Sequence, residues 1–301
     1  MTDRREVSII GMPMDLGQGR RGVDMGPSAI RYASLKKVLE ELMFDVEDLG
    51  NVDVPEAESI SIGHSHLKYL EPVADANEEL ARIVSDTLKR KRFPLVIGGD
   101  HSIAIGTLAG ITSVNRNIGL IWFDAHGDLN TPDTSPSGNI HGMPLAASLG
   151  IGHPRLVNIL GFSPKMKPEN TVIIGARDLD AGERELIAEL GIKTFTMHEI
   201  DRLGMAKVMD EAINIVCRNT DGVHLSFDLD ALDPIYCPGV GTPVPGGVSY
   251  REAHLALEML AEANCLISAE LVEVNPILDR ENRTAEVAVS LISSLLGKKI
   301  L

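Results

Sequence analysis

Gly119-Leu-Ile-Trp-Phe-Asp-Ala-His-Gly-Asp128 joins a short apolar strand to a cluster of metal-type donors. In an extended segment alternate side chains point the same way, so Asp124, His126 and Asp128 are expected to share one face at the strand's end. Phe227-Asp-Leu-Asp230 echoes the pattern, with Asp228 and Asp230 on one face. A third apolar run, Leu95-Val-Ile-Gly-Gly-Asp-His101, adds His101, and its Gly pair is expected to let the backbone turn tightly before the following helix.

Outward from these three runs, the chain alternates short β-branched stretches with amphipathic ones. Eight candidate strands are Val7–Ile10, Phe44–Asp48, Leu95–Gly98, Ile118–Phe123, Val172–Gly175, Lys193–Thr196, Val223–Asp228 and Cys265–Val274. Helices are expected over Pro27–Met43, Val73–Lys91, Tyr250–Ala263 and Thr284–Leu296, where apolar residues recur at i, i+3 and i+4. Such alternation predicts a mostly parallel sheet with helices on both faces, and ligands in such sheets bind outside the carboxyl ends of the strands. All three donor runs sit at such ends. Two loops, Leu129 to Gly142 and Asp233 to Ser249, are too long and too rich in Pro, Gly and Ser to be simple connections, and are expected to wall a pocket.

Taken singly, each carboxylate could be a turn former or helix cap. Asp233 before Pro234 reads that way. Brought together, Asp124, Asp128, Asp228 and Asp230 would repel one another and raise their own pKa values. Two divalent cations balance the four charges, leaving His101 and His126 as neutral imidazole ligands. The expected arrangement has Asp124 and Asp228 bridging, with His101 and Asp128 on one side and His126 and Asp230 on the other. Oxygen-rich ligands without thiolate favour manganese or magnesium over a structural zinc site. Water between such ions becomes a nucleophile at neutral pH, which points to hydrolysis.

His64 and His66 lack a carboxylate companion and are expected to be solvent-exposed; His153, His198, His224 and His254 are assigned to scattered turns and helices. His141 is kept, because it ends the long loop after Asp128. Cys217, Cys237 and Cys265 are odd in number and widely spaced, so no disulfide framework or thiolate site is indicated. Cys217 and Cys265 read as small buried hydrophobes, Cys237 as part of a Pro/Gly loop.

The 301 residues carry a formal charge of −15, which repels phosphate backbones and anionic lipid and suits a cationic or neutral small substrate. No nucleic acid or membrane partner is expected. Met1-Thr-Asp-Arg-Arg-Glu6 leads into a strand rather than a signal-peptide core, and no window approaches the ~18 apolar residues of a membrane span, so a cytoplasmic location is expected. No linker interrupts the pattern, and residues 1–301 read as one domain.

These motifs resemble arginases, within the ureohydrolase family of binuclear manganese enzymes. The likeness runs from Gly22-Val-Asp-Met-Gly-Pro27 through Gly98-Gly-Asp-His-Ser102, Asp124-Ala-His-Gly-Asp128 and Ser226-Phe-Asp-Leu-Asp-Ala-Leu-Asp-Pro234 to Glu273-Val-Asn-Pro276. Asn130-Thr-Pro, Ser137-Gly-Asn-Ile-His-Gly142, Gly241-Thr-Pro243 and Arg177-Asp-Leu-Asp180 are the arginase-specific part. The resemblance implies a three-layer α/β/α fold around an eight-stranded parallel sheet, two Mn²⁺ per subunit, a homotrimer or homohexamer, and hydrolysis of L-arginine to L-ornithine and urea. It further implies attack by a metal-bridging hydroxide, with Asp128 moving its proton, His141 as shuttle and Glu273 holding the guanidinium. For substrate contacts it implies His126, Asn130, Ser135, Ser137, Asn139, Asp180, Glu183 and Thr242. Asn130 and Ser137 match residues for the α-carboxylate, with Ser135 nearby, and Asp180 matches one for the α-amino group. A relative acting on agmatine or formiminoglutamate is the alternative, but agmatine has no α-carboxylate for the Asn130/Ser137 arrangement. A one-zinc deacetylase would leave His126 and Asp230 unused, and a purely structural metal protein would leave His141 unexplained.

Overall fold

Strands near the middle of the chain are apolar on both faces, and this alone demands a sheet covered from two sides. The computed structural model describes residues 6–299; Met1–Arg5, read as leading into the first strand, lie outside the described residues. The strands are β1 (Glu6–Met12), β2 (Asp45–Asn51), β3 (Gly63–His64), β4 (Leu67–Lys68), β5 (Phe93–Gly98), β6 (Gly119–Phe123), β7 (Thr171–Ala176), β8 (Lys193–Thr196), β9 (Val223–Asp228) and β10 (Leu266–Val272). Eight of them form a sheet in the order β2-β1-β5-β10-β9-β6-β7-β8, every neighbour parallel. All eight expected strands are present. The small antiparallel β3–β4 hairpin was not expected, being too short to show alternation.

Alternation along the strands sorts side chains into two cores. Ile97, Phe123, Leu225 and Leu271 face one, covered by helices Met205–Val216, Tyr250–Ala263 and Arg283–Leu295. Val96, Leu120 and Trp122 face the other, under helices Leu70–Lys89 and Ala104–Val114. The result is the three-layer α/β/α arrangement. Each fully buried Leu or Ile contributes roughly 1.5–3 kcal/mol through removal from water.

Three expectations need correction. Pro27–Met43 is two helices, Gly26–Tyr32 and Leu35–Glu41, because Ser34 takes a left-handed φ of 68° that breaks the hydrogen-bond ladder while the apolar spacing runs on. His224 lies in β9 and is fully buried, held by Ser268 Oγ at 2.9 Å, rather than in a turn or helix. Cys237 is the buried cysteine, with burial pushing its thiol pKa up, whereas Cys217 and Cys265 are only half-buried.

The sheet order places the site. The chain builds β1, β2 and β5, jumps over two strand positions to lay down β6, β7 and β8, and returns to fill the gap with β9 and β10. This reversal is a topological switch point, where the loops at the carboxyl ends diverge and leave a crevice. After β5 the chain passes under Met14, and Gly99 permits it: a Cβ there would lie 1.8 Å from the Met14 carbonyl oxygen. Gly99 thus serves close backbone approach, whereas a Cβ at Gly98 would meet the Ile103 and Val272 side chains, and neither glycine has a positive φ. Gly99→Ala is expected to destabilise by ~3 kcal/mol or more, at or beyond the upper end of overpacking costs, read as a fall in the denaturant midpoint.

Candidate metal centre and cleft

β5, β10, β9 and β6 are adjacent, and the residues just past their carboxyl ends converge: His101 after β5, Glu273 after β10, Asp228 and Asp230 from β9, and Asp124, His126 and Asp128 from β6. The convergence comes from turns and not, as expected, from the alternation of an extended strand. Asp124 Oδ1 accepts the His126 N–H at 2.7 Å, and Asp228 Oδ1 accepts the Asp230 N–H at 2.7 Å. Each carboxylate closes a turn on the residue two positions on, bringing i and i+2 donors together although the chain is bent. Asp128 follows with a left-handed φ of 52°.

Two groups of donors result. His101 Nδ1 lies 3.0 Å from Asp124 Oδ2, 3.0 Å from Asp128 Oδ2 and 3.2 Å from Asp228 Oδ2. His126 Nδ1 lies 3.4 Å from Asp124 Oδ1 and 3.2 Å from Asp230 Oδ2. Asp124 therefore presents one oxygen to each group, as a bridging carboxylate would, and the two groups could each hold a cation. Asp228 presents Oδ2 to the first group, and like Asp124 it also accepts a backbone N–H on Oδ1.

The donor chemistry fits cations. His101 Nδ1 is buried and makes no hydrogen bond despite three nearby carboxylate oxygens. Its ring is fixed from behind: Nε2 meets Ser226 Oγ at 2.8 Å, and Ser226 donates to Glu270 Oε1 at 2.8 Å. With the Ser226 hydroxyl donating to Glu270, its oxygen accepts Nε2–H of His101, and Nδ1 is left with its lone pair aimed at the carboxylates. Trp122 stacks on the ring at 4.1 Å and donates to Asp124 Oδ2 at 3.0 Å. Burial, then the Asp230 and Asp124 charges, push the Asp228 carboxyl well above the ordinary range. Burial and Asp124 raise Asp128 to about 6. Asp124 departs from the expected rise: burial raises its pKa, but His101 and His126 outweigh this and hold it below the ordinary range, so Asp128 and Asp228 are the penalised charges that divalent cations would balance.

Above the donors opens a cleft of about 630 Å³. Every residue singled out for substrate contact lines it except Glu273: His126, Asn130, Ser135, Ser137, Asn139, Asp180, Glu183 and Thr242, together with Asp128 and His141. Glu273 is 1% exposed, and its Oε1 accepts from the His101 backbone at 3.0 Å and faces His141 Nδ1 at 3.2 Å. Burial opposes charge on His141, but Glu273 outweighs it and raises the imidazole pKa to about 9. Asp180 sits at the N-terminus of helix Ala181–Leu190, where its N–H donates to Glu183 Oε2 at 2.8 Å, and its carboxylate accepts from Asn130 Nδ2 at 2.8 Å. Helix start and cleft wall are thus one residue. Glu183 is raised to about 7 by burial and by Asp128. Thr242 Oγ1 donates to Asp230 Oδ2 at 2.9 Å. Both long loops contribute walls. Asp233 is a loop staple, accepting from Ile235, Gly246 and Gly247 backbone N–H groups.

Asp178, which also lines the cleft, and the supports Arg177 and Ser226 lie in motifs quoted from the sequence but were given no role there, and Glu270 was not singled out at all. Arg177 donates to the carbonyls of Ala231, Asp230 and Val244, tying the end of β7 to the turn after β9 and to the 233–249 loop. A Glu in the otherwise uncharged run Leu266–Val272 was the available signal for Glu270; nothing in composition or spacing marked Arg177.

Fold and donors together define an α/β metallohydrolase architecture, with groups that could hold two cations at the switch point of a parallel sheet. The comparisons name the family: the arginase family pattern matches residues 5–297, and the chain belongs to it. It is 65% identical over 297 residues to an arginase of Brevibacillus brevis, covering 99% of both chains. It superposes on the native arginase structure of Bacillus caldovelox with a TM-score of 0.97 at 62% identity, covering 99% of this chain and 100% of that one. An Entamoeba histolytica arginase structure in complex with L-ornithine aligns with a TM-score of 0.90 at 35% identity, covering 98% and 99%. Arginases are hydrolases of amidine bonds, and this chain is an enzyme of that kind.

Proposed function

We propose that this chain, as one ureohydrolase domain over residues 1–301, hydrolyses L-arginine to L-ornithine and urea with two Mn²⁺ ions held by His101, Asp124, Asp128, Asp228, His126 and Asp230. The observation that carries the reading is the gradient of the cleft: a buried floor of cation donors and a polar rim matched to an amino acid. When bound, the two Mn²⁺ act as Lewis acids and make water nucleophilic at neutral pH. Glu273 holds the guanidinium by charge-assisted hydrogen bonds beside His141. Asn130, Ser135 and Ser137 offer amide and hydroxyl donors to the α-carboxylate without adding negative charge, with Asn139 alongside. Asp180 and Glu183 neutralise and frame the α-ammonium end, while Thr242 shapes the wall next to Asp230. Asp128 accepts a proton at the floor. Asp128 then passes that proton to the departing amine of ornithine, and His141, largely protonated below its pKa of about 9, shuttles protons between the cleft and solvent.

Protein loaded with Mn²⁺ is expected to release urea from L-arginine with a kcat/KM at least ~100-fold above that for agmatine, since a rim built for a carboxylate is left unpaired by a substrate lacking one. Steady-state rates on both substrates check this. Equal or reversed preference would reassign the chain to agmatine hydrolysis.

A further inference from the structure

The segment from Asp15 to Arg21 crosses beside the site and has no part in the function described so far. It is bound to the site at several points. The Gly17 N–H donates to Asp100 Oδ2 at 2.8 Å, its carbonyl accepts the His141 N–H at 2.9 Å, and Arg20 Nη1 donates to the Gly241 carbonyl at 3.0 Å. Between these anchors Gln18, only 5% exposed, donates Nε2–H to Glu273 Oε2 at 3.0 Å. The amide cannot be turned over, because its oxygen would then face a carboxylate. Gln18 Oε1 has no hydrogen-bond partner among the described residues. Opposite the pair stands Gly241, where a Cβ would lie 2.6 Å from Gln18 Oε1 and 2.8 Å from Glu273 Oε2. Glu273 itself has a left-handed φ of 69°, a conformation that a side chain adopts only when its surroundings hold it.

We infer that Gln18 is a positioning residue for Glu273: its carboxamide fixes Oε2, so that the carboxylate keeps one orientation and turns its remaining lone pairs toward the space beside His141 and Thr242. Gln18 lines that space together with His126, His141 and Thr242. This rests on the guanidinium-binding role of Glu273 proposed above. A carboxylate held by backbone N–H on one oxygen and by an amide on the other cannot swing about its last torsion. Without Gln18 the Oε2 side loses its only side-chain donor among the described residues, and the carboxylate is held from the Oε1 side alone, by the His101 N–H and His141.

A double-mutant cycle tests the inference. Gln18→Met keeps the length of the side chain and removes the donor; it is expected to lower kcat/KM for L-arginine about 10- to 100-fold with bound manganese per subunit unchanged. In a Glu273→Gln background the same exchange should cost less than about 3-fold, since the carboxylate it orients is gone. Gln18→Glu is the isosteric second variant if Gln18→Met does not fold: it should be damaging in the natural background, and neutral or better beside Glu273→Gln, where a donor again faces an acceptor. Equal losses in both backgrounds, or a Gln18→Met enzyme with normal kcat/KM, would overturn the positioning role. A Glu273→Gln enzyme with full activity would instead overturn the guanidinium-binding reading on which it rests.

Discussion

Asp128→Ala is expected to leave one cation per subunit and to lower kcat by at least ~10²–10³-fold, the scale of removing one charge-stabilising group from a dry site. Asp128 faces His101 Nδ1 at 3.0 Å from a turn that nothing else in the cleft can replace. Its carbonyl is fixed by the Leu145 and Ala146 N–H groups, so the neighbouring chain should keep its course when the carboxylate is removed. The defect should therefore be local. Metal analysis of the purified variant, with urea release measured in excess Mn²⁺, checks both halves. A variant that retains two ions and a normal rate would remove Asp128 from the donor set.

Chelating the metal is expected to lower the melting temperature, and by more at pH 8 than at pH 5.5. The sign follows from the groups left behind. Without cations Asp128 titrates at about 6 and Asp100 at about 6, above the 3.8 of an unfolded Asp, because burial disfavours their charge. A carboxylate with a raised folded pKa binds its proton more tightly when folded, so folding loses stability as pH climbs from the unfolded value through the folded one. Glu183, at about 7, extends the same loss toward neutrality. His141 adds to it: its stabilisation is complete below 6.5 and disappears as pH rises through about 9. Every tenfold difference in proton affinity between the folded and unfolded chain is worth about 1.4 kcal/mol. Bound divalent cations compensate the charged carboxylates, so the loaded protein should show a flatter profile. Thermal scans of chelated and loaded protein across this range decide the matter, and a gap that narrows with rising pH would contradict the account.

How much was legible beforehand depended on what kind of physics placed each residue. The strands could be read because burial on both faces leaves an apolar run in the sequence, and the Asp and His donors because chemistry restricts which side chains bind hard cations. Helix Tyr250–Ala263 was legible to its ends, since Ser249 and Glu252 form a capping box. The break at Ser34 was not, because a left-handed residue leaves no mark on hydrophobic spacing. Strand alternation alone does not explain why the donors meet; two side-chain-to-backbone turns bring them together. Ser226 and Glu270 were missed because they pair across β9 and β10, a register that no local pattern announces. Gln18 was missed for a similar reason: its partner lies 255 positions away.

The strand order has a further implication for how the molecule comes into being. Asp228, Asp230 and Glu273 arrive with β9 and β10, the last strands in the sequence, which lie between β5 and β6 in the sheet. In the sheet order, His101 follows β5 on one side of these two strands, and Asp124, His126 and Asp128 follow β6 on the other. Each donor group needs a carboxylate from the late strand β9, Asp228 in one and Asp230 in the other, so neither cation site can be complete before the centre of the sheet is filled.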